Sequence, residues 1–129
     1  MILLDTCALI DMISEKPTLS SSTFDALQNG TTILSISFAE IACKIALQKL
    51  ELALCAETLL ERIQETEHFH VRDINSRMWF DAIHLHWEHQ GKPHKDPADR
   101  LILSYAAAHG LSIVTTNRLM QARYPRCIW

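Results

Sequence analysis

Short apolar runs alternate along this chain with longer stretches of helical period. Ile2, Leu3 and Leu4 make a run too short for a helix, closed by the charge of Asp5, which predicts a buried first strand. Ala8 to Ser14 then reads as a short helix with Leu9, Ile10 and Ile13 on one face, and Pro17 breaks it. Leu19 to Gln28 predicts a second helix, ended by Asn29-Gly30. Thr31 to Ile36 has the composition of a strand. Helical period returns from Ser37 to Lys49 through Phe38, Ile41, Ile45 and Leu47, and again from Ala56 to Glu65 through Leu59, Leu60 and Ile63. His68 to Arg72 predicts a short strand.

Asn75 to Glu88 sets Met78, Trp79, Ala82, Ile83 and His86 on one helical face until Gly91-Lys92-Pro93 interrupts it. The cleanest period follows. Ala98, Leu101, Ile102, Tyr105, Ala106 and His109 fall at i, i+3, i+4, i+7 spacings, with Asp96 placed as N-cap, Pro97 in the first turn and Gly110 as exit. Leu111 to Thr115 predicts another strand, Asn117 to Ala122 a short helix, and Cys127 to Trp129 a last strand. Strands alternating with helices predict an α/β fold, a three-layer α/β/α arrangement around a central, mainly parallel sheet. With 129 residues, 48% of them hydrophobic, one domain spanning 1–129 is expected to bury its own core.

Four acids stand where that pattern changes element: Asp5 after the first strand, Glu40 shortly after the second, and Asp96 and Asp99 at the start of the long helix. Each has a structural reading. Ser37-Phe38-Ala39-Glu40 has the spacing of a capping box, and Asp96 with Asp99 fits an N-cap followed by an acid that complements the helix dipole. Asp5 is harder to explain as structure, because the short turn offers it no obvious partner except another group of a site. In a parallel sheet the carboxyl ends of the strands share one edge, where ligand sites collect near the point at which strand order reverses. Two bare carboxylates about 4 Å apart repel by about 4 kcal/mol at an effective dielectric of about 20. A cluster of them therefore calls for a cation, and an all-oxygen set suits Mg²⁺ or Mn²⁺ better than zinc. Phosphodiester cleavage is the chemistry such an ion supports.

Composition narrows the classes further. Twelve basic against fifteen acidic residues, with a pI near 6.1, exclude the global positive field of a sequence-independent nucleic-acid binder. Any such contact must be local, through Lys44, Lys49, Lys92, Lys95, Arg100 or Arg118. Cys7, Cys43, Cys55 and Cys127 lack C-x-x-C spacing and read as small buried hydrophobes, and no signal segment is apparent, so a reducing cytoplasm is expected. No apolar run approaches the roughly 20 residues of a membrane span. His84, His86, His89 and His94 straddle a helix end and a loop, which argues for a scattered set rather than zinc ligands. Trp79 and Trp87 read as core or interface residues. A phosphatase of the haloacid-dehalogenase type would need an Asp where Cys7 stands. Leu50, Leu52 and Leu54 are candidates for an exposed apolar interface.

Leu3-Leu4-Asp5-Thr6, Ser37-Phe38-Ala39-Glu40-Ile41, Asp99-Arg100-Leu101-Ile102 and Ile113-Val114-Thr115-Thr116-Asn117 occur in the order and at the separations seen in one family. Over essentially its whole length the chain resembles a PIN-domain ribonuclease of the VapC toxin type, and His94 to Ile102 resembles a signature of one subgroup. The resemblance implies Asp5, Glu40 and Asp99 as ligands of Mg²⁺ or Mn²⁺, with Thr6 and Thr115 as polar support and Asp96 as an acid at the rim. Such toxins are similar in cutting RNA, often transfer or ribosomal RNA, and among the basic residues Arg100 and Arg118 are the foremost candidates for contact with its phosphates. The resemblance further implies a homodimer silenced by a VapB-type antitoxin. The chain departs from the family at Asn117, where an Asp is usual. The Asn117 amide oxygen can still bind a metal or orient its water, so Asn117 stays a candidate catalytic residue, but one negative charge is lost and an alternative opens: a weakened module that binds RNA or antitoxin without efficient turnover.

Overall fold

The computed structural model describes residues 1–52 and 55–129. Strands β1 (Ile2–Leu4), β2 (Thr31–Leu34), β3 (Phe69–Arg72), β6 (Ser112–Val114) and β7 (Cys127–Ile128) form a five-stranded sheet in the order β3-β2-β1-β6-β7, parallel throughout. Helices α1 (Thr6–Met12), α2 (Ser21–Leu27), α3 (Ile36–Ala46), α4 (Ala56–Glu65), α5 (Ser76–Ile83), α6 (Pro97–His109) and α7 (Arg118–Arg123) surround it. Between α5 and α6 lies a two-stranded antiparallel hairpin, β4 (Glu88–His89) with β5 (Lys92–Pro93).

β1 and β2 are buried at every position, Thr31 and Thr32 included, because helices cover both faces of the parallel sheet. Alternate side chains feed different cores. Leu3, Leu34 and Ile113 pack with Leu101, Ile102, Ala106 and Met120, while Ile2, Leu4, Ile33 and Val114 pack with Leu9, Leu27, Ile41, Leu59 and Ile63. The sheet thus separates a layer containing α5, α6 and α7 from one containing α1 to α4. This is the three-layer α/β/α fold expected.

The best-punctuated helix forms as its signals dictate. Asp96 Oδ1 accepts the Asp99 N–H at 3.1 Å, Pro97 occupies the first turn, and Gly110 exits in the left-handed region at φ 64°. Elsewhere the structure corrects the sequence reading. Helix α5 ends at Ile83 rather than Glu88, and Ile83 is exposed, not on the packed face with Ala82. Residues expected to continue it form the hairpin, whose turn at Gln90 and Gly91 takes positive φ at both positions. The arrest is long-range: the Arg100 guanidinium donates to the carbonyls of Ala82 (3.3 Å), Leu85 (2.7 Å), Trp87 (3.3 Å) and His94 (2.7 Å). Those carbonyls no longer need a next helical turn.

Other expectations change too. Helix α3 starts at Ile36, so Ser37 lies inside it and no capping box forms. Cys43 and Cys55 are exposed and Cys7 and Cys127 only partly buried, against the expectation of four buried thiols. Leu50 and Leu52 pack against the core rather than forming a free apolar face, and Leu54 lies outside the described residues.

Candidate metal centre at the carboxyl edge of the sheet

β1 sits between β2 and β6, so the strand order reverses beside it, and the crevice at that edge collects the candidate groups. Asp5 follows β1 directly and is only 6% exposed. Its Oδ1 accepts the Thr6 N–H at 2.8 Å, capping α1, and its Oδ2 accepts the Thr115 hydroxyl at 2.6 Å. Thr115, fully buried just beyond β6, in turn accepts the Asn117 N–H at 3.0 Å. The end of one strand therefore fixes the acid at the end of its neighbour.

Glu40 comes from α3 and is held from α1. The Thr6 hydroxyl donates to Glu40 Oε1 at 2.6 Å and lies 2.9 Å from the Ser37 hydroxyl. Asp99 stands in the first turn of α6, where its Oδ2 lies 2.9 Å from His94 Nε2 and 3.2 Å from the donating Asn117 Nδ2. The orientation of Asn117 is fixed by its other end. Oδ1 accepts the N–H groups of Leu119 (3.1 Å) and Met120 (3.2 Å), capping α7, so only the amide NH₂ faces Asp99.

A cavity of about 470 Å³ opens here, lined by Asp5, Thr6, Cys7, Ile10, Glu40, Lys44, Asp99, Thr116 and Asn117. Burial pushes the Glu40 carboxyl up, opposed by the Thr6 hydrogen bond and reinforced by the charges of Asp5, Asp96 and Asp99. Burial likewise raises Asp99, with His94 opposing and Asp96 and Asp5 adding to the rise. Burial and then Asp5 raise the Cys7 thiol, which disfavours its thiolate. Among the described residues, no Lys or Arg forms an ion pair with Asp5, Glu40 or Asp99.

This donor set fits a hard divalent cation: three carboxylates on separate elements, none ion-paired with a Lys or Arg among the described residues, and a neutral thiol beside them. Among the described residues no three acid, His or Cys side chains already converge on one point as ligands would. Asp5, Glu40 and Asp99 would therefore close on an ion from the hydrogen bonds that now hold them.

The remaining candidates are dispersed. Asp96 is exposed and spent on capping α6, and it is not part of the cavity wall. Arg100 faces away from the cavity into four carbonyls, which corrects its assignment to phosphate contact. Arg118 is exposed in the first turn of α7, while Lys44, one turn beyond Glu40, does line the wall. His84 and His86 are exposed, but His89 and His94 meet nitrogen to nitrogen at 2.7 Å, so the histidines are not all scattered. Cys7, Thr116 and Ile10 escaped the sequence reading as wall residues. Adjacency to Asp5 and to Thr115 is the signal that could have found the first two.

An α/β/α domain with an acidic crevice beside its first strand is thereby defined. The family model described as "PIN domain" matches residues 2–125, and the chain belongs to that family. It is 28% identical over 128 residues to Ribonuclease VapC22 of Mycobacterium tuberculosis, covering 97% of this chain and 94% of that protein. A toxin-antitoxin complex from Klebsiella pneumoniae contains a chain similar in fold, with TM-score 0.70 and 19% identity over 100% of this chain and 97% of that one. FitAcB from Neisseria gonorrhoeae has TM-score 0.56 and 18% identity over 93% and 90% of the two chains.

Proposed function

We propose that this protein is an endoribonuclease toxin that depends on Mg²⁺ or Mn²⁺ and cleaves RNA phosphodiester bonds, with transfer or ribosomal RNA as target. The observation that carries the reading is the meeting of Asp5, Glu40 and Asp99, from three separate elements, in one cavity without a paired Lys or Arg among the described residues. These three residues would hold the ion. Bound there, it supplies Lewis-acid charge at the phosphoryl oxygens and lowers the pKa of water. Thr6 and Thr115 hold Glu40 and Asp5 at the crevice, from which the carboxylates would close on the ion. Lys44 on the cavity wall is the side chain best placed to steer an RNA phosphate, with Arg118 as an outer contact. In the cell we place the protein in the cytoplasm as one 1–129 unit, a homodimer silenced by a VapB-type antitoxin. Its similarity to Ribonuclease VapC22 and to chains of toxin-antitoxin complexes supports this reading.

The test is incubation of the purified protein with total cellular RNA in Mn²⁺ or Mg²⁺, beside EDTA and an Asp99→Asn protein. Discrete fragments lost in both controls are expected. Intact RNA from folded, antitoxin-free protein would favour the second reading, a binding module. One observation speaks for that alternative: Asn117 gives its oxygen to the α7 cap and only its NH₂ to Asp99, so it contributes no acid to the crevice.

A further inference from the structure

We infer that His94 is a positioning residue, delivered by the β4–β5 hairpin to fix the Asp99 carboxylate for metal binding, with His89 locking His94 in turn. The inference rests on the reading of Asp99 as a ligand. His94 Nε2 lies 2.9 Å from Asp99 Oδ2, and His94 Nδ1 lies 2.7 Å from His89 Nε2. An ionised carboxylate only accepts, so His94 Nε2 carries the hydrogen. In the neutral ring Nδ1 is then an acceptor, and His89 Nε2–H donates to it. With His94 neutral this pattern satisfies the chain from His89 to Asp99, and with the ring protonated both its nitrogens donate and His89 Nε2 accepts; in either state Nε2 donates to Asp99 and His89 holds the other nitrogen.

Everything else about His94 prevents rotation. It is 7% exposed, and its ring stacks on Trp87 at 3.6 Å with planes 7° apart. Its N–H donates to the Trp87 carbonyl at 2.8 Å, and its own carbonyl accepts the Arg100 Nε–H at 2.7 Å. Every polar atom of the residue is engaged. Trp87 is 2% exposed and its indole Nε1 has no hydrogen-bond partner among the described residues, a cost accepted for the stack.

The effect falls on one oxygen. Asp99 Oδ2 takes both the His94 and Asn117 contacts, which leaves Oδ1 without a side-chain donor among the described residues. A carboxylate pinned through one oxygen presents the other at a set angle to an ion. Partners of this kind, hydrogen-bonded to a ligand rather than to the metal, typically govern about 10- to 100-fold in affinity.

The experiment is Mn²⁺ binding by isothermal titration calorimetry, with thermal unfolding recorded on the same samples. The proteins are the wild type, Asp99→Asn, His94→Phe, His94→Gln and His89→Leu. Phenylalanine keeps the stack on Trp87 but has no donor, whereas glutamine can place an N–H where Nε2 stands. The expected result is a dissociation constant raised about 10- to 100-fold in His94→Phe. His94→Gln should stay within about threefold of wild type, with His89→Leu in between. Equal affinity in His94→Phe and wild type would overturn the inference. So would glutamine being as impaired as phenylalanine, because ring packing would then explain the effect. Should His94→Phe fail to fold, His94→Gln and His89→Leu decide: unchanged affinity in His89→Leu contradicts the lock. A wild type whose Mn²⁺ binding is insensitive to Asp99→Asn would instead defeat the underlying reading of the site.

Discussion

The two sides of the acidic crevice are built differently. On one side, Asp5 and Glu40 are held by buried hydroxyls: Thr115 just beyond β6 and Thr6 at the start of α1. On the other, Asp99 is held by His94 and Asn117, both in connections outside the helices and strands. The first side is rigid because its anchors, Thr6 and Thr115, are buried where β1 and β6 end. The second depends on the α7 cap that orients Asn117 and on one half-buried guanidinium, Arg100, which gathers the carbonyls of the loop that carries His94. The same kind of carboxylate can thus be fixed by the core itself or by a separately braced loop, and the two solutions should break in different ways.

The sharpest break is at the acids. Asp5→Asn leaves shape nearly unchanged but removes a charge from the crevice, and RNA cleavage should fall at least about a hundredfold while circular dichroism stays native. Cleavage within a factor of about two of wild type would remove Asp5 from the site. Next comes the brace. Arg100→Met strips the donors from four carbonyls and should cost about 3 kcal/mol in urea unfolding, with the loss accompanied by weakened Mn²⁺ binding. On the rigid side, Thr115→Val deletes the donor to a buried carboxylate. It should lower stability by about 1–3 kcal/mol in the same assay, and a melting curve that overlays the wild type would contradict the contact.

A smaller effect separates the crevice from the rest of the surface by pH. Glu40 and Asp99 are both raised by burial in the folded protein, whereas unfolded they titrate near about 4. Through the interval above that value the folded state binds more protons than the unfolded one, so these two groups make metal-free stability fall as pH rises. Mn²⁺ binds the ionised form, and its stabilising effect should grow across the same interval. Urea midpoints with and without Mn²⁺ between pH 4 and 7 check this. A Mn²⁺ increment that does not change with pH would contradict it.

What could be read from the sequence follows the same division. Asp5 was legible because an acid closing an apolar run has no use as surface charge, and α6 because its cap, proline and exit glycine all act locally. Glu40 lines the crevice, but the capping box that its spacing suggests does not form. Its partner Thr6 is 34 residues away, and no local spacing encodes that contact. The hairpin was illegible for the same reason. Trp79, Ala82, Ile83 and His86 keep helical period, yet the group that stops α5 is Arg100, supplied from the next helix. Asn117 shows in the sequence as a missing acid, but that its oxygen caps α7 is set by the fold.

The central claim is that Asp5, Glu40 and Asp99 close on one divalent cation. The measurement that addresses it most directly is an anomalous difference map from crystals of the protein soaked in MnCl₂, collected near the manganese edge. The account predicts a peak within coordinating distance of all three carboxylates, at about 2–2.3 Å from the nearest oxygens, with His94 still bonded to Asp99. A well-soaked crystal whose manganese lies elsewhere, or only on Asp5 with Asp99 turned away, would contradict it.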